Sequence, residues 1–115
     1  MVKKFLITSI LLLITVTISS ASDVDGRWTG RFDDKFDITY DFKVSGEVLN
    51  GVYTDQDKKT THIYYGIFKD NELSFTVDMM GDPITVKGKI KDGIITLVFL
   101  MPDQKKVSVD LVRTN

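Results

Sequence analysis

Apolar and polar residues alternate along most of the chain from residue 27 onward. The segment FDITYDFKV, residues 36–44, shows this best, because every second residue is apolar or aromatic. A period of two is typical of a β-strand with one buried face. The same pattern predicts eight strands: RWTGRF, FDITYDFKV, EVLNGVYT, THIYYGIF, ELSFTVDM, ITVKGKI, IITLVFL and KKVSVDLVRT. No segment has a convincing helical period.

The connections between these segments are short and rich in turn residues. Ser45-Gly46, Asp70-Asn71 and Asp92-Gly93 each separate two predicted strands, and such pairs adopt the positive φ angles of tight hairpins. No connection is long enough for a crossover helix, so neighbouring strands are predicted to be antiparallel.

One face of the predicted strands carries large apolar side chains and recurring glycines. The predicted interior contains Trp28, Phe32, Tyr40, Phe42, Leu49, Tyr53, Tyr64, Phe68, Leu73, Phe75, Val86, Ile90, Leu97, Phe99, Val109 and Leu111. Gly30, Gly51, Gly66 and Gly88 lie on the same face, where glycine permits the bends that a sheet needs to close. The predicted fold is all-β, an eight-stranded antiparallel up-and-down barrel. A flattened two-sheet sandwich is the alternative.

Residues 1–21 are predicted to be a secretory signal peptide rather than part of the fold. The basic start MVKK precedes an uncharged apolar run, Phe5–Ile18, and small residues lead to a cleavage site after Ala21. The run is too short for a membrane span of ~20 residues. We therefore expect one exported domain, residues 22–115, in the periplasm or outside the cell, without a membrane span after cleavage.

Charge and composition narrow the function classes. Without Lys3 and Lys4, the chain has thirteen basic and sixteen acidic residues. This negative net charge argues against binding to nucleic acids or anionic membranes. There is no cysteine, and His62 is the only histidine. No serine lies in a recognisable nucleophile motif, and the aspartates lack the spacing of a known calcium loop. The sequence predicts a binding protein rather than an enzyme, with no metal and no cofactor.

The start and the end of the predicted domain resemble the calycin superfamily of lipocalins and fatty-acid-binding proteins. Gly26-Arg27-Trp28 opens the first strand, and Arg113 lies in the last. The elements GRWTG, VLNGVY, NELSF and GKIKDG are similar to those of small secreted bacterial lipocalin-like proteins, most of unassigned function. The resemblance implies that Gly26, Trp28 and Arg113 close one end of the barrel, with the guanidinium stacked over the indole ring.

The aromatic residues of the predicted interior are the candidate ligand site. They either line a pocket for a small apolar or amphipathic ligand or fill the barrel themselves. An eight-stranded barrel is just wide enough for its own side chains, which favours a filled interior and a shallow pocket at the end opposite Trp28. The candidate ligand-binding residues are Tyr40, Phe42, Tyr53, Tyr64, Phe75 and Phe99.

A second candidate site lies on the outer face of the third and fourth predicted strands. Alternation places an exposed apolar patch there, formed by Val48, Val52, Ile63, Tyr65 and Ile67. Such a patch predicts a homodimer or a protein partner, as in an inhibitor or an accessory subunit. The alternative is a bulge at Gly51 or Gly66 that exchanges the two faces.

Overall fold

The computed structural model describes residues 23–114, so the predicted signal peptide lies outside the described residues. Within this range the chain forms nine β-strands. They are β1 Gly26–Phe32, β2 Phe36–Ser45, β3 Val48–Thr54, β4 Thr60–His62, β5 Tyr64–Lys69, β6 Glu72–Met79, β7 Asp82–Lys91, β8 Ile94–Leu100 and β9 Lys106–Thr114. The predicted fourth strand is thus divided at Ile63 into β4 and β5.

The strands form a closed antiparallel barrel. Each strand position pairs with the next along the chain, and β1 also pairs with β9, so no free edge remains. β4 and β5 both pair with β3 and together occupy one position in the barrel. The predicted eight-stranded up-and-down barrel is therefore confirmed in preference to the flattened sandwich. Its turns include left-handed residues at Asp70-Asn71 and Asp92-Gly93, as the sequence predicts.

The up-and-down order sorts the connections between two ends of the barrel. We call one the Trp28 end: it holds the start of β1, the end of β9, and the turns at 46–47, 70–71 and 92–93. The opposite end, which we call the far end, holds the connections at 33–35, 55–59, 80–81 and 101–105. Any site built from turns therefore belongs to one of these two groups.

Aromatic side chains fill the middle of the barrel. The Tyr40 ring centroid lies 5.2 Å from that of Phe42, 5.3 Å from that of Tyr53 and 5.5 Å from that of Phe75. Tyr40 on β2 and Phe75 on β6 belong to strands that do not pair with each other, so their contact crosses the interior. At this level the barrel holds its own side chains, as its width allows.

The strand that carries β4 and β5 contains a β-bulge, and the bulge corrects two predictions. Tyr64 and Tyr65 are consecutive and both point outward, and the β5–β6 register shifts between Tyr64 and Ile67. One extra residue exchanges the two faces of a strand. The predicted exterior position of Ile63 is therefore wrong, since its side chain is 8% exposed. The predicted interior position of Tyr64 is also wrong, since it lies outside at 36% exposure.

The inward glycines mark places where neighbouring strands approach closely. A β-carbon on Gly30 would lie 2.7 Å from the carbonyl oxygen of Asp110 on β9. A β-carbon on Gly66 would overlap the carbonyl oxygen of Leu49 on β3. Any larger residue would push these strands apart, so glycine is required for the tight curvature at both positions.

Candidate functional site

The Trp28 end is closed by one aromatic ring and one cation. Trp28 is fully buried, and its indole Nε1 donates a hydrogen bond of 2.8 Å to the carbonyl oxygen of Val24. Arg113 is the register partner of Trp28 on β9, and its guanidinium carbon lies 4.5 Å from the centroid of the indole ring. The same guanidinium donates hydrogen bonds to the carbonyl oxygens of Asp23 and Asp25. The chain segment before β1 is thereby fixed across the end of the barrel.

Gly26 makes this arrangement sterically feasible. Its φ is +126°, in a region that side-chain-bearing residues rarely adopt. A β-carbon at this position would also lie 2.6 Å from Nη1 of Arg113. The three residues singled out by the sequence, Gly26, Trp28 and Arg113, thus form one connected structure. The depression of about 470 Å³ beside Arg113 is lined mainly by polar turn residues, and Trp28 is not among them.

The far end carries two adjoining depressions that share Phe36 and Met80. The larger has a volume of about 600 Å³ and is lined by Phe36, Tyr53, Asp55, Gln56, Asp57, Lys59, Thr61, Asp78, Met79, Met80 and Gly81. The second has a volume of about 510 Å³ and is lined by Phe32, Asp33, Lys35, Phe36, Met80, Met101, Pro102, Asp103, Lys105 and Val107. Both volumes fall within the range of small-molecule sites, ~300–1,000 Å³.

The predicted ligand-binding residues do not gather in a single pocket. Tyr40, Phe42, Phe75 and Phe99 are buried in the packed interior. Of the six candidates, Tyr53 is the one that lines the larger depression at the far end. Tyr64 lies on the outer surface, as described above, and its hydroxyl donates a hydrogen bond of 2.7 Å to Oδ1 of Asp78.

Tyr40 and Tyr53 are buried, and the pKa of each phenol is raised. Burial, with a contribution from the neighbouring Tyr53, raises the pKa of Tyr40 well above its usual value. The Tyr40 hydroxyl has no hydrogen-bond partner within residues 23–114. The pKa of Tyr53 is also raised, first by burial and then by the negative charge of Asp55. Both phenols are therefore held neutral, and Tyr53 lies within the electrostatic influence of the acidic turn.

Met80 is the most unusual side chain at the far end. It begins the two-residue turn Met80-Gly81, and its φ is +52°. The three two-residue turns at the Trp28 end place Gly46, Asp70 and Asp92 at this left-handed position, which suits glycine and the short polar side chain of aspartate. The Met80 side chain is 77% exposed and lies between the two depressions.

The exterior patch exists in a smaller form than the sequence predicts. Val48 and Ile67 are exposed and pair across β3 and β5, and Val52 is half-buried. Tyr65 is 81% exposed with a φ of +57°. Its ring lies 5.1 Å from the ring of Tyr64, centroid to centroid. Ile63 does not belong to this surface, because the bulge turns it into the interior.

The remaining candidate groups are separated from one another. His62 ends β4 and is exposed. Within residues 23–114, no group of three or more His, Cys, Asp or Glu side chains is placed to hold a metal ion. The same residues include no helix long and apolar enough to cross a membrane.

Sequence reasoning missed Phe36, Met79, Met80 and Met101 as members of a site. Only the tertiary structure brings these residues to one end, because they lie in or next to three different connections. One signal was present in the sequence. The dipeptide Met80-Gly81 occupies a hairpin turn where the corresponding turns have Gly-Glu, Asp-Asn and Asp-Gly.

These features were compared with known proteins at three levels. The chain was set against protein-family models, curated proteins and solved structures, and no match was found in any of the three comparisons.

Proposed function

We propose that this protein is an exported β-barrel that binds a small apolar or amphipathic ligand across its far end. The ligand lies between the connecting turns and does not enter the barrel, whose interior is occupied by Tyr40, Phe42 and Phe75. The observation that carries this proposal is Met80. A large apolar side chain is exposed there on a turn that favours a short polar one.

The free-energy cost of the left-handed backbone conformation at Met80 supports a role for this residue in binding. A non-glycine residue held in the left-handed region loses ~1–3 kcal/mol, and exposure of the thioether leaves that cost uncompensated by burial. Aspartate or asparagine would be more stable at this position. A residue that is unfavourable for the fold yet lies between two depressions is well placed to serve a ligand.

The side chains around Met80 suit an apolar ligand. Met79, Met80 and Met101 lie at the far end together with the stacked rings of Phe32 and Phe36, whose centroids are 5.2 Å apart. Methionine is flexible and polarisable, so it adapts to ligands of different shape. Both depressions combine apolar side chains with polar and charged ones, which suits an amphipathic ligand.

The closure of the opposite end is consistent with a relationship to lipocalin-like proteins. The contacts among Gly26, Trp28 and Arg113 at one end of the barrel support such a relationship. We include this relationship in the proposal, with one difference. The binding site is formed by the turns at the rim, since the packed interior leaves no room at the level of Tyr40.

Methyl NMR tests this proposal directly, because Met79, Met80 and Met101 are the only methionines of the predicted mature chain and all lie at the far end. Protein labelled at the methionine and valine methyl groups would be titrated with a short-chain amphiphile below its micelle concentration. We expect saturable shifts of these methyl signals, with the methyl signals of Val24 and Val44 at the Trp28 end unchanged.

Met80→Asn is the matching variant, because asparagine fits the left-handed turn and keeps the charge. We expect it to weaken amphiphile binding several-fold. Ile94→Asn is the control, because it removes an exposed apolar residue next to a turn at the Trp28 end. Equal affinity in Met80→Asn and the unaltered protein would contradict the proposal, as would amphiphile shifts confined to the Trp28 end.

A protein-interaction module is the second candidate function, and Tyr65 favours it. Its ring is exposed on a left-handed bulge residue, beside the exposed side chains of Val48 and Ile67. Tyrosine is enriched at protein interfaces. In this alternative, the outer face of β3 and β5 contacts a second copy or a target protein, as an inhibitor or an accessory subunit does.

A further inference from the structure

The two depressions at the far end differ in charge. The larger one contains three carboxylates, from Asp55, Asp57 and Asp78, and one lysine, Lys59. The smaller one contains Asp33 and Asp103 with Lys35 and Lys105, so its charges balance. The far end is therefore negative on one side of Met80 and charge-balanced on the other.

The carboxylates of the acidic depression outnumber its one lysine, Lys59. None of its three carboxylates forms an ion pair within residues 23–114, whereas Asp33 of the smaller depression lies 3.6 Å from the Nζ atom of Lys35. Uncompensated carboxylates on a partly enclosed surface attract cations. This depression therefore favours a positively charged group over a neutral or a negative one.

Hydrogen bonds hold two of these carboxylates in fixed positions without removing their charge. Oδ1 of Asp55 accepts hydrogen bonds from the backbone N–H groups of Asp57 and Lys59, at 2.9 and 3.0 Å. Oδ1 of Asp78 accepts the hydrogen bond from the Tyr64 hydroxyl. Each of these two carboxylates thus keeps Oδ2 available to a ligand. Because the hydrogen bonds already fix the carboxylates, ligand binding does not have to order them.

Aromatic rings border the same depression. Tyr53 lines it with 5% of the residue exposed, and the partly buried Phe36 lines both depressions. The faces of aromatic rings attract organic cations, particularly quaternary and primary ammonium groups. Burial and then the negative charge of Asp55 raise the pKa of Tyr53, so the ring is neutral and lies near a carboxylate. Carboxylates and aromatic faces therefore favour the same kind of ligand group.

We propose that the ligand of the far end is an amphipathic organic cation. Its ammonium group lies among Asp55, Asp57 and Asp78, against the ring of Tyr53. Its apolar chain crosses Phe36 and Met80 into the smaller depression, where Phe32, Met101 and Val107 contact it. This inference rests on the proposed function, and it specifies the chemical class of the ligand.

Three probes with the same ten-carbon chain separate the two proposals. They are decyltrimethylammonium, decyl maltoside and decyl sulfate, each titrated below its micelle concentration while the methionine methyl signals are recorded. We expect the cation to bind about tenfold more tightly than the neutral probe and the anion to bind most weakly, from attraction between charges about 5 Å apart. Added salt should weaken the binding of the cation more than that of the neutral probe.

Aspartate-to-asparagine variants identify the carboxylates that contribute to binding of the cation. Asp57→Asn and Asp55→Asn each remove one carboxylate, and in Asp55→Asn the side-chain amide oxygen can still accept the turn hydrogen bonds. We expect a loss of about three- to fivefold in cation affinity for each variant, and little change for the neutral probe. Asp92→Asn changes the net charge equally at the Trp28 end and should leave both affinities unchanged.

Each outcome has a definite meaning. If the three probes bind equally, or if the anion binds most tightly, the inference about charge is overturned while the binding function stands. If none of the probes shifts the methionine methyl signals, both proposals fail. If Asp92→Asn weakens cation binding as much as Asp57→Asn does, the attraction is due to net charge and the assigned position of the ammonium group is wrong.

Discussion

The guanidinium carbon of Arg113 lies 4.5 Å from the centroid of the Trp28 ring. The two residues pair across β1 and β9, the first and last strands of the barrel. Because Arg113 also donates hydrogen bonds to the carbonyl oxygens of Asp23 and Asp25, one side chain links three parts of the Trp28 end. Substitutions of Trp28 and Arg113 therefore test how the barrel is closed at this end.

Replacement of Trp28 by alanine should strongly destabilise the barrel. The indole ring is fully buried, and loss of a buried aromatic side chain costs about 3–5 kcal/mol. Urea denaturation followed by circular dichroism measures this loss, with Trp28→Phe expected to retain part of the stability. A loss below about 1 kcal/mol for Trp28→Ala would contradict the role of the ring in closure.

Replacement of Arg113 by lysine should cost about 1–2 kcal/mol of the free energy of unfolding. Lysine keeps the charge, but its single ammonium group cannot reach both carbonyl oxygens while it covers the ring. Arg27→Lys is the matched control, because Arg27 forms an exposed ion pair with Asp41 at 3.0 Å, and such pairs contribute less than about 1 kcal/mol. Equal effects of the two changes would show that Arg113 is an ordinary surface cation.

The two left-handed apolar residues should be replaceable with a gain in stability. We expect Met80→Asn and Tyr65→Asn each to raise the free energy of unfolding by about 1 kcal/mol, because asparagine tolerates this conformation. Tyr64→Asn is the control, since Tyr64 is not among the positive-φ residues and the change removes its hydrogen bond to Asp78. A loss of stability in Tyr65→Asn would mean that the ring contributes to the fold.

The bulge predicts opposite outcomes for lysine at two isoleucines of the same segment. Ile67→Lys should leave the fold intact, since Ile67 is exposed, and should dissociate any dimer that uses this face. Ile63→Lys should unfold the protein, because the side chain is buried and an unpaired charge there is costly. Denaturation and analytical ultracentrifugation measure the two effects. A monomer that forms no complex before or after Ile67→Lys removes the argument for the interaction module.

Removal of the Tyr40 hydroxyl should be neutral or slightly stabilising at pH 7. The hydroxyl is buried without a hydrogen-bond partner in the described chain, so Tyr40→Phe removes a desolvated polar group. A loss greater than about 1 kcal/mol would show that the hydroxyl has a partner in solution. Denaturation of the two proteins at the same pH provides the comparison.

The same variant should change the alkaline stability of the protein. Burial raises the pKa of Tyr40 in the folded state, so the unfolded chain releases this proton first, near pH 10. The contribution of Tyr40 to stability should therefore be constant below this pH and should fall as the pH rises above it. In Tyr40→Phe the decline should be shallower. Identical pH profiles for the two proteins would contradict the raised pKa.

The sequence by itself determines the class of fold, and the reason is local. Alternation along segments such as residues 36–44 places apolar side chains on one face of a strand. Pairs such as Asp92-Gly93 select tight turns that keep successive strands antiparallel. Glycines such as Gly30 indicate where strands approach closely. Each of these signals depends on a few neighbouring residues, so together they predict an up-and-down barrel with Trp28 near one end.

The tertiary structure alone decided the faces of β4 and β5 and the composition of the far end. Tyr64, Tyr65 and Gly66 are each compatible with a regular strand, and only the close approach of Gly66 to Leu49 and the shifted pairing with β6 fix the bulge there. A shift of one residue then exchanges the face on which each preceding side chain of the strand lies, so Ile63 points inward. The far end likewise brings Phe36, Met80 and Met101 together. These residues are far apart in the sequence and become neighbours only because the barrel closes, so no local sequence pattern predicts that they lie side by side.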